Sequence, residues 1–294
     1  MHTIATFSIV ACDVRRQEWG VAVQSKFLAA AAVVSWAQAG AGAVATQAHA
    51  NMGFGPRGLN LLTAGACARE VVDELIAGDA DRDVRQLGVV DRLGTAWAYT
   101  GAACTAWAGH VVGEAYACQG NILVPGTVEA MATHFEQARS GPGELADWLV
   151  SALQAGQDAG GDSRGRQAAG VLVVRQDGSY GGTTDRYLDL RVDDDPEPIR
   201  RLQRLVSMHH LLFGATRPDD LVPIATVARD LQRVVRVSGD YDGPIDGVFG
   251  ETTRAALMAL ASRENLEERW FGDREQIDGT VVAYLVGRYL HSGD

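Results

Sequence analysis

The sequence predicts an α+β fold, with antiparallel sheets sandwiched between helical layers, followed by a small all-α domain. Three observations lead there. Strand-like alternation and helix-like spacing come in blocks: hairpins, two helices, hairpins, two helices and a final hairpin. Apolar residues make up 47% and charged residues 21% of the 294, the balance of a globular chain long enough for two domains. After Gly214-Ala-Thr-Arg-Pro218 the pattern changes to turn-rich loops and helices, which sets domains at 1–217 and 218–294.

Residues 4–12 alternate, with Ile4, Thr6, Ser8, Val10 and Cys12 on one face and Ala5, Phe7, Ile9 and Ala11 on the other. This is a strand with a hydroxyl-bearing face. Residues 13–18 form a polar turn and 19–24 the returning strand. A small-residue strand spans 40–46, and helices span 55–62 and 66–77. Residues 86–90 and 95–100 make a second hairpin about Asp91-Arg-Leu-Gly94, and 116–119 another strand. Amphipathic helices cover 125–139 and 144–155, where Leu145, Trp148, Leu149 and Leu153 recur at helical spacing. Strands at 169–175 and 187–192 and a helix at 200–213 close the first domain. The second has helices at 222–235, 251–262 and 277–289 around the turn-rich loop 238–250.

The formal net charge is -11, divided as -5 in residues 215–294 and -6 in the rest. Neither part is basic, so nucleic acid and anionic membrane are not expected partners. No apolar run reaches the roughly 18 residues of a membrane span. The N-terminus lacks the basic and apolar regions of a signal peptide. Cys12, Cys67, Cys104 and Cys118 show no C-x-x-C spacing, which fits reduced thiols in the cytoplasm. No phosphate-binding or dinucleotide fingerprint occurs, and no cofactor is expected. His209-His210 and Asp193-Asp-Asp195 read as a helix-end pair and a solvated acidic turn, with no metal expected.

Lys26 is the chain's only lysine among 26 basic residues. An amine can be desolvated and its pKa tuned where a guanidinium stays protonated, so Lys26 is a candidate catalytic amine; it is also a plausible strand-end cation with its stem on the core. Gln24, Gln47, Asn51, Gln119 and Asn121 all fall at or beyond strand ends. Their amides suit holding a polar amide or oxyanion, or bonding the backbone groups of strand ends. Asp162, Arg164, Arg166 and Gln167 share a Gly-rich turn, where Asp162 is placed to orient an amine and Arg164 to clamp a carboxylate. Cys104 and His110 have the residue types of a thiol hydrolase but no third orienting group; a packed thiol is the better reading.

Several segments together resemble the family catalogued as domain of unknown function 1028. They are Thr6-Phe-Ser-Ile-Val-Ala11, Gly20-Val-Ala-Val-Gln-Ser-Lys-Phe27, Gly42-Ala-Val-Ala-Thr-Gln47, Trp107-Ala-Gly109, Cys118-Gln-Gly-Asn121 and Gly160-Gly-Asp-Ser-Arg-Gly-Arg-Gln167. The resemblance implies a four-layer αββα sandwich of the N-terminal-nucleophile hydrolase type. Thr6 resembles that fold's nucleophile at the start of the first strand, Gln119-Gly-Asn121 its Gly-Ser-Gly segment, and residues 162–167 its late Asp and Ser-Gly-Gly turn. No lysine stands at 43–45, where the proteasome-like amine lies, so Lys26 would substitute from the second strand. Ala168 stands where that pattern has a Ser. The run Gly239-Asp-Tyr-Asp-Gly-Pro-Ile-Asp-Gly-Val-Phe-Gly-Glu-Thr-Thr-Arg-Ala-Ala-Leu257 resembles a peptidoglycan-binding three-helix module. The usual aromatic-Gln pair of its next helix is Leu260-Ala261 here.

These readings converge on an amide hydrolase acting on a small polar amide. Thr6 attacks, Lys26 and Asp162 tune the proton, and Gln119 with Asn121 hold the oxyanion, while Gln24, Gln47, Asn51, Arg164 and Gln167 bind substrate. Activation by the α-amine of Thr6 requires a cut after Ala5. The alternatives are a catalytically inert protein that binds a small amide or carboxylate ligand or drives assembly, and a peptidoglycan-fragment binder. A homo-oligomer is expected.

Overall fold

The computed structural model of the protein describes residues 6–266, 269 and 275–291. Ile4 and Ala5, read above as part of the first strand, lie outside the described residues. The chain forms two compact units, Met1–Val206 and Ser207–Asp294.

In the first unit the chain runs β1 (Thr6–Asp13), β2 (Glu18–Ser25), α1 (Ala30–Val34), β3 (Ser35–Gln38), β4 (Gly42–Ala48), α2 (Phe54–Thr63) and α3 (Ala68–Ala77). It continues as β5 (Arg85–Asp91), β6 (Ala96–Thr100), β7 (Gly109–Gly113), β8 (Tyr116–Asn121), α4 (Thr127–Ala138), α5 (Leu145–Asp158), β9 (Ala168–Val174) and β10 (Arg186–Val192). The helix α6 (Pro198–Phe213) contains the division between the units. Two antiparallel sheets result, ordered β10-β9-β2-β1-β8-β7 and β3-β4-β5-β6. The elements not anticipated were α1, β3 and β7. Each spans only four or five residues, too few for periodicity to register, and β7 alternates between half-buried and exposed positions.

Burial on both faces of β1 explains its sequence. Phe7, Ile9 and Ala11 join a core with α4 and α5, where Met131, Phe135, Leu149 and Leu153 pack on the larger sheet. Val10 and Cys12 face the other way into a core with Val21, Val23, Ala43, Ala45 and Val90, between the sheets. Val44, Phe54, Val71, Leu75, Leu87 and Val89 join the smaller sheet to α2 and α3. The order is helices, sheet, sheet, helices. At Gly20 a Cβ would stand 2.8 Å from the Leu149 side chain, so a missing side chain lets α5 approach β2.

The second unit is β11 (Leu221–Pro223), α7 (Ile224–Val237), α8 (Glu251–Arg263), β12 (Gln276–Asp278) and α9 (Gly279–Leu290). The all-α expectation is corrected by the antiparallel β11–β12 ladder, formed by residues that helical periodicity assigned to the first turns of α7 and α9. Asp278 ends the ladder and caps α9, accepting from the backbone N–H groups of Thr280 and Val281. Its other oxygen takes the Arg269 guanidinium at 2.6 Å and the Thr216 hydroxyl at 2.6 Å. No helix among the described residues is long and apolar enough to cross a membrane.

Replacing Leu149 by Ala removes a fully buried side chain from the α5 face. The substitution is expected to cost the first unit about 3 kcal/mol, read as a lowered urea midpoint.

Candidate functional site

Two rows of uncharged polar side chains meet between the sheets at the end where β1 begins. In the larger sheet, Thr6 lies in register between Ser25 on β2 and Asn121 on β8, and Ser8 lies beside Gln119. In the smaller sheet, Gln47 on β4 stands opposite Gln86 on β5, which stands opposite Thr100 on β6. Thr6, Ser8, Ser25, Gln47, Gln86, Gln119 and Asn121 are all at 0% exposure.

The rows bond across the gap. The Ser8 hydroxyl donates to Gln47 Oε1 at 2.6 Å and accepts from Gln119 Nε2 at 2.6 Å. Gln47 Nε2 donates to Gln86 Oε1 at 2.8 Å and reaches the carbonyls of Gln119 and Thr6 at 3.3 and 3.4 Å. Asn121 Nδ2 donates to Gln86 Oε1 at 3.0 Å. Gln86 Nε2 reaches the Gly120 carbonyl at 2.7 Å, the Thr100 hydroxyl at 3.0 Å and the Gly109 carbonyl at 3.1 Å. Thr6 Oγ1 donates to Ser25 Oγ at 3.1 Å. Two acceptors, Gln119 Oε1 and Asn121 Oδ1, are buried without a hydrogen-bond partner. As carbonyl oxygens, these free atoms suit an N–H donor. Each amide nitrogen carries a second N–H besides the one engaged, the kind of donor expected of Gln119 and Asn121 toward an oxyanion.

Of the residues singled out by sequence, Thr6, Gln47, Gln119 and Asn121 come together here. Asp162 lies at the same end, one residue beyond the Thr6–Ser25 pair. It is buried, and its Oδ2 accepts from the backbone N–H of Lys26 at 2.9 Å and from Arg164 at 3.1 Å. The Asp162–Lys26 link is therefore through the backbone and not the amine. The Lys26 side chain is exposed, and its ammonium donates to the Arg166 carbonyl at 3.3 Å. A lone lysine in an Arg-rich chain is here a strand-end cation.

The remaining candidates lie elsewhere. Gln24 neighbours Phe7 and Ala169 on the sheet's opposite face, under the helices, with both its polar atoms lacking a hydrogen-bond partner. The parity of β2, which turns Ser25 inward, turns Gln24 outward. Arg164 is tied to Asp162, and Gln167 donates to Asp194. Asn51 holds the entrance to α2 by accepting from the Gly53 N–H, and reaches Asp79 at 3.4 Å. The Cys104 thiol donates to the Arg85 carbonyl, and burial raises its pKa, the opposite of an activated thiol. His110 bonds to the Thr100 hydroxyl at 2.8 Å.

Gln86, Ser25 and Thr100 are the members that sequence reading missed. Gln86 sits at a strand start, the same signal that marked the other amides, but Arg-Gln before an apolar run reads as solvated. Among the described residues no group of His, Cys, Asp and Glu is arranged to hold a metal.

Residues 6–202 match the family described as "Family of unknown function (DUF1028)". The chain belongs to this family. One solved DUF1028 structure, protein SPO2555 from Silicibacter pomeroyi, is 28% identical with a TM-score of 0.63, over 70% of this chain and 86% of that one. Residues 213–285 match the family described as "Putative peptidoglycan binding domain". Among curated proteins, none matches the chain. The two family matches support a two-part layout, a DUF1028 unit followed by a peptidoglycan-binding-like one. In the latter, Leu260 and Ala261 are both buried in the core.

Gly88 is what admits the Gln119 amide, because a Cβ there would stand 2.1 Å from Gln119 Oε1. Gly88→Ala is expected to displace that amide and cost about 2 kcal/mol, measured by thermal denaturation. Beside Asn51, the Arg85 guanidinium bonds Asp79 at 2.8 Å and holds its carboxyl below the usual value of 3.8. A depressed carboxylate stabilises the fold above that value, and the contribution is lost as pH falls through the folded-state pKa. Asp79→Asn should therefore cost about 2 kcal/mol at pH 7, with the gap to wild type closing in melts taken at progressively lower pH.

Proposed function

We propose that the DUF1028 unit is an amide hydrolase of the N-terminal-nucleophile type, acting on a small polar amide, with Thr6 as nucleophile. The observation that carries this reading is the position of Thr6 on β1, facing the inter-sheet layer in register with Ser25 and Asn121. The layering of the unit, with two antiparallel sheets between helices, supports it. A cut after Ala5 makes Thr6 the chain terminus. Its α-amine, with a pKa near 8, then takes the proton from Oγ1 as that oxygen attacks the substrate carbonyl. Gln119 Oε1 and Asn121 Oδ1 accept from an ammonium or amide N–H, which their unpartnered state favours. Asp162 acts by fixing the end of β2 through the Lys26 N–H. A cytoplasmic location belongs to the same proposal and rests on four free cysteines.

A second reading is an inert binding or assembly protein. It is favoured by complete burial of Thr6 and its neighbours. Intact-mass measurement with N-terminal sequencing separates the two. The hydrolase reading expects a chain that starts at Thr6 and releases ammonia from glutamine or asparagine, with Thr6→Ala lowering the rate by about 10⁴-fold or more. An intact Met1, with no ammonia released, leaves the binding reading. Glycan binding by the second unit rests on the match at 213–285. It predicts that insoluble peptidoglycan pulls down the full chain but not one lacking residues 218–294.

A further inference from the structure

At the opposite end of β1 from Thr6, about 23 Å along the strand, lies a cavity of about 230 Å³ lined by Asp13, Arg15, Glu114, Phe135, Arg139 and Trp148. We infer that it binds a small zwitterion of the amino-acid class. The inference is independent of any chemistry at Thr6.

Asp13 supplies the first half of the argument. It is 6% exposed, and its Oδ1 accepts from the backbone N–H groups of Arg15 and Arg16 at 3.0 and 3.3 Å. Its Oδ2 is buried with no hydrogen-bond partner, the Arg16 Nε lying 3.8 Å away. A buried carboxylate oxygen left in this state is costly, and an ammonium relieves the cost with a charge-assisted bond.

Arg139 supplies the second half. One Nη donates to the Glu114 carbonyl, while the Glu136 carboxylate comes no nearer than 3.9 Å. The guanidinium also lies over the Phe135 ring, 6.0 Å from its centroid, and its remaining N–H groups suit a carboxylate. Arg15 adds positive charge at the rim, its side chain 85% exposed and its Nε 3.8 Å from the other Asp13 oxygen, Oδ1. Between these poles the buried rings of Phe135 and Trp148 offer apolar walls.

The mixture of charges selects the ligand. A bare anion meets the carboxylates of Asp13 and Glu114, and a bare cation meets Arg15 and Arg139. A molecule carrying both ends avoids either repulsion. Size agrees: the cavity exceeds the roughly 150 Å³ that holds benzene and falls short of the roughly 300 Å³ at which drug-sized sites begin.

The test is calorimetric titration of the full chain with glycine, L-leucine and L-phenylalanine. Each is followed by two single-ended analogues of leucine, 3-methylbutylamine and 4-methylpentanoate. At least one amino acid should bind saturably, with both analogues about tenfold or more weaker than leucine if leucine is that ligand, or silent if it is not. Asp13→Asn should weaken the amino acid about tenfold. Arg139→Gln, on a partly exposed side chain, should do the same without disturbing the fold, as a thermal melt of each variant checks. If Asp13→Asn fails to fold, Arg139→Gln and the analogue comparison on the unaltered chain decide. Silence from all three amino acids, equal binding of leucine and its analogues, or undiminished binding by Arg139→Gln would overturn the inference.

Discussion

The DUF1028 unit depends on a layer of amides and hydroxyls joining two sheets that would otherwise meet through apolar contact. Gln47 and Gln86 bridge to Ser8, Asn121 and the backbone of β8, so each sheet supplies partners the other needs. A buried amide without partners costs on the order of 1–3 kcal/mol, so the cluster is stable only when the sheets are in register. Apolar side chains tolerate sliding more readily than directional bonds do. The layer thus fixes the placement of β1 against β4 and β5, and so where Thr6 stands.

This layer also explains an oddity of β1. A strand buried on both faces ordinarily reads as a continuous apolar run. Here Thr6 and Ser8 interrupt it, yet neither is exposed, because the facing sheet presents glutamines and not valines at that level. One step further along, Val10 and Cys12 meet Val21 and Val90 and the contact becomes apolar. Polar and apolar zones divide the inter-sheet space by depth.

The layered architecture was legible because strand alternation and helical spacing are local signals. Short elements such as β3 and β7 carried too few periods to be seen, and the β11–β12 ladder was hidden because three-residue strands abut helices of the expected pattern. Within the site, sequence identified the amides by their places at strand ends but could not say which face each took. Gln24 and Ser25 are neighbours with opposite destinations, and only strand parity in the finished sheet separates them. At Lys26, being the one lysine says nothing of where its ammonium points, and it is the backbone N–H that Asp162 accepts from.

Composition gives the inter-sheet layer a further property. Threonine, serine, glutamine and asparagine side chains do not ionise at any pH a cell reaches. Titration of its own side chains therefore cannot weaken the joint between the sheets, unlike the ion pairs on the surface. An enzyme or receptor built around such a joint keeps a constant scaffold while charges at its margins change.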